Sequence, residues 1–151
     1  MWLMTNKRTT DDIFSLFPDG LCCICEFTGD TDSLRLKIDC DILSELSDLK
    51  YSFFYVELVQ IHNLELVLWA SPSELQPVRL TEVKDIFVKE FVLCTTRLKQ
   101  DFVEIICTCQ ESDEECVISL ACEYISVFDQ RMKEITFGQL RNIFRNYGLD
   151  F

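Results

Sequence analysis

Between residues 34 and 41 apolar and charged side chains alternate without a break. Leu34, Leu36, Ile38 and Cys40 occupy one set of positions, and Arg35, Lys37, Asp39 and Asp41 the other. Successive side chains of a strand point to opposite faces, so this pattern predicts a half-buried antiparallel strand with one face on a core and one in water. Runs of the same kind continue to about residue 129 and predict strands at 21–28, 52–61, 63–70, 86–96, 101–110 and 115–128. Val103, Ile105, Cys107 and Cys109 share one face of the run at 101–110, and Cys116, Ile118, Leu120, Cys122, Tyr124 and Phe128 one face of the last.

Short gaps join several of these runs. His62 and Asn63 stand where 52–61 and 63–70 would turn as a hairpin, Arg97 to Gln100 between 86–96 and 101–110, and Gln110 to Glu115 before the last run. The stretch Thr81-Glu-Val-Lys-Asp-Ile-Phe87 suits a strand or the start of a helix. Two segments have helical signals. Thr9 to Phe17 offers a threonine cap, acids in a first turn and Pro18 beyond, which predicts one or two turns of helix. Near the end, Thr136 and Gln139 form a capping-box pair. Leu140, Ile143, Phe144 and Tyr147 follow at helical spacing, with Gly148 at the C-terminal cap and Arg141 and Arg145 on the wet side.

The expected fold is therefore α+β: a mostly antiparallel sheet of six to seven strands, a short N-terminal helix, and a C-terminal helix packed on one face. The length of 151 residues and the 48% hydrophobic content fit a single domain, residues 1–151, with its own core. Three prolines and four glycines leave no linker composition. Two halves, 34–70 and 86–128, each hold three strand-like runs, but no residue pattern repeats at a fixed offset, so the sequence alone does not establish a duplication.

Several chemistries lack their parts. The formal charge of −12 leaves no basic face for duplex nucleic acid. Glycines only at 20, 29, 138 and 148 cannot build a phosphate loop, so no nucleotide cofactor is expected. The aromatic runs 52–55 and 88–91 lie outside positive charge and read as core rather than single-strand binding. The lone histidine, His62, would sit at an exposed turn, a poor place for a catalytic base. The turn 29–33 begins like a calcium loop, but Leu34 and Arg35 stand where an oxygen ligand and glycine are needed. Asp39 and Asp41, roughly 7 Å apart if both lie on one strand face, have Arg35 and Lys37 as neighbours and read as a solvated ion-pair face rather than a catalytic dyad.

Nine cysteines, at 22, 23, 25, 40, 94, 107, 109, 116 and 122, are the densest chemical signal. Met1 to Asp12 has no secretory apolar segment and no window is long enough to span a membrane, so a reduced, cytoplasmic setting is expected, in which cysteine packs as a small apolar residue. Cys23 with Cys25, and Cys107 with Cys109, would each share a strand face, which leaves a metal or redox site built from Cys22, Cys23, Cys25, Cys107 and Cys109 as a second reading. A third is an enzyme or small-ligand carrier with an apolar pocket in a curved sheet.

Charge is uneven. Residues 1–75 carry 13 acids and 5 bases, residues 76–151 carry 13 and 9. Acids concentrate at Glu26, Asp30, Asp32, Asp39, Asp41, Glu45 and Asp48, with a second block ending in Asp113, Glu114 and Glu115. A sheet that gathered both blocks on one face would steer a basic partner toward it. The expected contact set is Asp30, Asp32, Asp39, Asp41, Glu45, Asp113, Glu114 and Glu115.

The closing stretch from Glu123 to Gly148, with its strand, turn, Thr136 cap and Arg-bearing helix, resembles the end of small acidic bacterial domains of the toxin-immunity kind. Glycine, favoured in such a turn, is absent from Gln130 to Lys133. The resemblance implies a stoichiometric role without chemistry, in which an acidic surface occludes the active site of a basic toxin; it assigns no individual residues.

Overall fold

The computed structural model describes residues 2–17, 21–27, 33–68, 76–110 and 114–149; for 2–8 and 21–27 it describes the backbone. The elements run α1 (Trp2–Ser15), β1 (Leu21–Phe27), β2 (Leu34–Asp39), α2 (Asp41–Leu46), β3 (Phe53–Leu68), β4 (Val78–Leu80), α3 (Val83–Ile86), β5 (Phe91–Leu98), β6 (Val103–Cys109), β7 (Glu115–Asp129), β8 (Glu134–Ile135) and α4 (Phe137–Asn146). The α+β class and the antiparallel sheet are as the alternation predicts. The six long strands fall within the expected six to seven, and the fragments β4 and β8, of 3 and 2 residues, extend the sheet to eight.

The sheet order is β4-β3-β2-β1-β5-β6-β7-β8, with a further antiparallel ladder between β3 and β7. That ladder joins two interior strands of the order. The six long strands β1, β2, β3, β7, β6 and β5 therefore form a circuit of antiparallel pairings, closed at β1–β5 by the pairs Leu21↔Val92 and Cys22↔Phe91. Two meanders, β1-β2-β3 and β5-β6-β7, thus meet at like edges, β1 on β5 and β3 on β7. Their buried faces correspond: Leu34, Leu36, Ile38 and Cys40 match Val103, Ile105, Cys107 and Cys109. A register shift interrupts the first strand of each meander, between Ile24 and Glu26 and between Leu93 and Thr95. The sheet has the connectivity of a three-stranded unit used twice, with α2 inserted in the first copy.

The hairpin expected at His62 and Asn63 does not form. β3 runs through as one strand of 16 residues beside β7, which has 15. Gln60 and Asn63 take left-handed φ of 55° and 54°, and the register with β7 shifts between His62 and Glu65. Each departure moves the buried set by one position, from Leu58 to Ile61 and then to Leu66. Such bulges bend and twist a strand instead of reversing it. A similar break of alternation occurs on β7, where Tyr124, expected beside Cys122 in the core, is 57% exposed while Val127 is buried.

The N-terminal helix is longer than Thr9 to Phe17 suggests, and it is central to the core. It packs on β7, β5 and β6 and delivers Ile13, Phe14, Leu16 and Phe17 into the buried cluster. Thr10 is fully buried with its Oγ1 3.5 Å from Cys122 Sγ. The segment 81–87 resolves as an approach to the short α3, so β5 begins at Phe91 rather than 86. β5 and β6 form the expected hairpin, but it turns at 99–102 rather than at Arg97 to Gln100, closed by Lys99 N–H donating to the Phe102 carbonyl.

The C-terminal helix follows its signals closely. Thr136 Oγ1 accepts from the Gln139 N–H at 3.1 Å and Gln139 Oε1 accepts from the Thr136 N–H at 2.8 Å, a complete capping box. Gly148 ends it at φ 76°. Leu140 and Phe144 face inward, and the Phe144 ring sits 5.7 Å from Phe17 and 6.1 Å from Phe54. In the glycine-free turn before β8, Met132 takes φ 65°.

Candidate partner-binding surface

Asp39 closes β2 on its outward face, and its carboxylate lies 3.7 Å from Lys37 Nζ. Lys37 also stands 4.3 Å from the Phe53 ring centroid, while Arg35 pairs with Glu57 at 3.1 Å and covers Tyr55. The outer face of β2–β3 is thus the solvated ion-pair face that the alternation suggests. Asp41 is not part of it. The strand ends at Asp39, and Asp41 opens α2 with Glu45 one turn later, both exposed. Among the described residues neither has an ion-pair partner.

Across the sheet, Asp39 opposes Leu21, Leu21 opposes Val92, Val92 opposes Thr108, and Thr108 opposes Glu115. Directly opposed residues share a face, so Asp39 and Glu115 sit at the two ends of one outward row spanning five strands, roughly 19 Å along the sheet at normal strand spacing. Glu114, one position earlier, turns inward: it is half-buried, and its Oε2 is buried with no hydrogen-bond partner among the described residues. Asp30, Asp32 and Asp113 lie outside the described residues.

Three surface residues escaped the sequence reading. Ile42, Leu46 and Leu49 are 57%, 49% and 70% exposed, beside the predicted Asp41 and Glu45. Ile42 and Leu46 lie one turn apart on α2, whose six residues are too few for a helical period to stand out, and Leu49 follows in the turn beyond it at φ 68°. α2 is anchored by fully buried Leu43 and by Ser47, whose Oγ donates to the Leu43 carbonyl and accepts from the Tyr51 N–H.

The cysteines are placed by packing. Cys107 and Cys116 are directly opposed on β6 and β7, both fully buried, with their sulfurs 3.4 Å apart. The partner of Cys107 is therefore a cross-strand neighbour, not Cys109 along the same strand. The hydrogen bond from Cys107 favours the Cys116 thiolate and lowers its pKa. Among the described residues no group of three or more His, Cys, Asp or Glu side chains could hold a metal; the side chains of Cys22, Cys23 and Cys25 are not described. His62 is not at a turn tip. It is an exposed strand residue whose Nε2 lies 3.7 Å from Glu123 Oε1, and the Gln60 amide faces the same carboxylate, best satisfied with its nitrogen toward Glu123.

Burial has one measurable consequence. Removal from water, reinforced by Asp39 and Asp41, pushes the Cys40 thiol from 9.0 up to about 12. The folded chain then keeps this proton where the unfolded chain loses it, so the stability it contributes is complete below pH 9 and is lost as pH climbs toward 12. Cys122 is shifted the same way by burial, and Cys116 opposes them. Urea unfolding at neutral pH and at about pH 10 should show falling stability, by on the order of 1 kcal/mol per pH unit. A Cys40→Ala variant should have a flatter profile.

An open cleft of about 430 Å³ lies outside the core between α1, β7, β8 and the start of α4, lined by Thr9, Ile13, Ile125, Val127, Glu134 and Phe137 among others. Its size suits a small ligand, but among the described residues that line it Glu134 is the single ionisable group, and it is exposed. No described helix is long and apolar enough to cross a membrane.

Fold and surface together define an α+β domain whose six long strands pair in a circuit, with α1 packed on β5, β6 and β7 and an acidic segment at the β2–α2 corner. Compared with known protein families, with characterised proteins and with solved structures, the chain matches none.

Proposed function

We propose that this chain is a non-enzymatic protein-binding domain that uses an acidic face to hold a basic partner, with an immunity or antitoxin role as its most concrete form. The observation that carries the reading is the outward row from Asp39 to Glu115, extended past Asp39 by Asp41 and Glu45. Asp41 and Glu45 are exposed without an ion-pair partner among the described residues and Asp39 holds only a surface pair with Lys37, so these acids contribute little to the fold. Their field acts outward, raising the encounter rate with a basic protein and fixing its orientation.

Reversing Asp39, Asp41 and Glu45 to lysine tests this. The unfolding temperature should stay within a few degrees of the parent, because all three side chains are outside the core. Affinity recovery from the native cell extract should yield a basic protein on the parent chain, released by raised salt, and lose it on the variant. Equal recovery on both would overturn the reading.

A further inference from the structure

We infer that Cys107 and Cys116 are a redox-active dithiol, closed to a cross-strand disulfide by a peroxide and reopened by a thiol reductant; the site is independent of the acidic-face reading. The two residues are directly opposed on β6 and β7, both fully buried, with their sulfurs in contact at 3.4 Å. Each sulfur also reaches the other residue's carbonyl oxygen, Cys116 Sγ at 3.6 Å and Cys107 Sγ at 3.9 Å, so both side chains lean across the gap between the strands. Directly opposed residues of an antiparallel pair have Cα atoms about 4.5–5.5 Å apart, within the roughly 4.4–6.8 Å that a disulfide bridges. Bonding therefore asks for side-chain rotation, bringing the sulfurs from 3.4 Å to about 2.05 Å, and not for movement of the strands. The neighbouring thiols are engaged elsewhere. Cys122 lies against Thr10 Oγ1, Cys94 near Thr108 Oγ1, Cys40 near the Ile38 carbonyl, and Cys109 opposes Phe91 on β5.

The oxidant is hydrogen peroxide. Cys116 attacks first, since the hydrogen bond from Cys107 favours its thiolate. The Cys116 sulfur bonds to one peroxide oxygen as the O–O bond breaks, and the departing hydroxide takes up the Cys116 proton as water, leaving a sulfenic acid. The Cys107 sulfur then attacks the Cys116 sulfur; the S–S bond forms, the S–O bond breaks, and the hydroxide leaves as water with the Cys107 proton. Two thiols lose two electrons and peroxide gains them. A dithiol reductant reverses the change by exchange, its own two thiols ending as the disulfide. Burial slows the first attack without preventing it. The pair is the last but one of the β6–β7 ladder, which ends at Thr108↔Glu115, and the end of a ladder opens at far lower cost than the whole fold. Once formed, the bond ties β6 to β7 beside Glu115 and resists that opening.

The test uses the reduced full chain, treated with hydrogen peroxide while folded, alkylated in denaturant and cut after glutamate. Glu111, Glu114 and Glu115 lie between the two cysteines, so the protease separates them unless they are linked. Mass spectrometry with fragmentation should find Cys107 joined to Cys116, lighter by two hydrogens than the dithiol, and dithiothreitol added to the folded chain should remove the link. Before reduction the thermal midpoint should stand roughly 5–10 °C above that of the reduced chain. Cys107→Ser should abolish this shift and Cys109→Ser should keep it. The mapping is done on the parent chain and does not depend on either variant folding. Alkylated Cys107 and Cys116 after peroxide has consumed the exposed Cys94 would overturn the site, as would a link through Cys109 or one that forms only in denaturant. A link that dithiothreitol cannot open in the folded chain would make the bond structural and overturn the redox-active dithiol.

Discussion

A chain lacking residues 2–17 is expected to lose its cooperative unfolding transition, with near-ultraviolet circular dichroism collapsed and a hydrophobic dye bound at neutral pH. Ile13, Phe14, Leu16 and Phe17 are all buried in the same cluster as the inward faces of β2, β3, β5, β6 and β7. Each such side chain contributes roughly 1.5–3 kcal/mol by burial, so removing four withdraws about 6–12 kcal/mol from a domain whose whole stability is about 5–15 kcal/mol. The loss also opens the floor beneath Phe144 and Phe54, since Phe17 contacts both rings. A sheet left with its apolar face uncovered would retain strands without fixed packing. A truncated chain that still unfolds sharply in urea, with an unchanged near-ultraviolet spectrum, would show that α1 is dispensable.

Phe54→Ala should cost about 3–5 kcal/mol, among the largest effects of any single truncation. Phe54 is fully buried at the start of β3, where three elements converge. Its ring stacks on Tyr51 at 6.1 Å, meets Phe17 just beyond α1 at 5.9 Å and Phe144 of α4 at 6.1 Å. Alanine would leave a cavity walled by the rings of Phe17, Tyr51 and Phe144, which cannot all move to fill it. Phe54→Leu, which keeps most of the volume, should recover more than half of the loss. The comparison separates packing from aromatic contact, and a urea midpoint for Phe54→Ala within error of the parent would contradict the packing described.

The same residues show how much of the fold could be read from sequence. Residues 34–39 and 103–109 alternate because one face is buried and the other wet, and periodicity is a property of the segment itself. The capping box at Thr136 and Gln139 is likewise local, and it formed as its spacing requires. His62 and Asn63 mark the limit of such reasoning. A break of alternation with an asparagine is the local sign of both a turn and a bulge, and the choice here belongs to β7, which offers 15 residues of uninterrupted partner. The candidate surface divides the same way. Asp39, Asp41 and Glu45 were found from charge density, while Ile42, Leu46 and Leu49 were missed because exposure of an apolar residue is decided by what packs elsewhere.

By itself, then, the sequence determined the alternating cores of β2, β6 and β7, the C-terminal helix with its caps, and the larger excess of acid over base in the first half, all consequences of patterns within a few residues. Only the tertiary structure decided that β3 pairs with β7 and closes the circuit, that α1 is core, that Cys107 meets Cys116, and that Asp39 and Glu115 end one outward row. Each of these joins residues far apart along the chain, and the energy that selects among such pairings comes from burying whole faces together, which no local window contains.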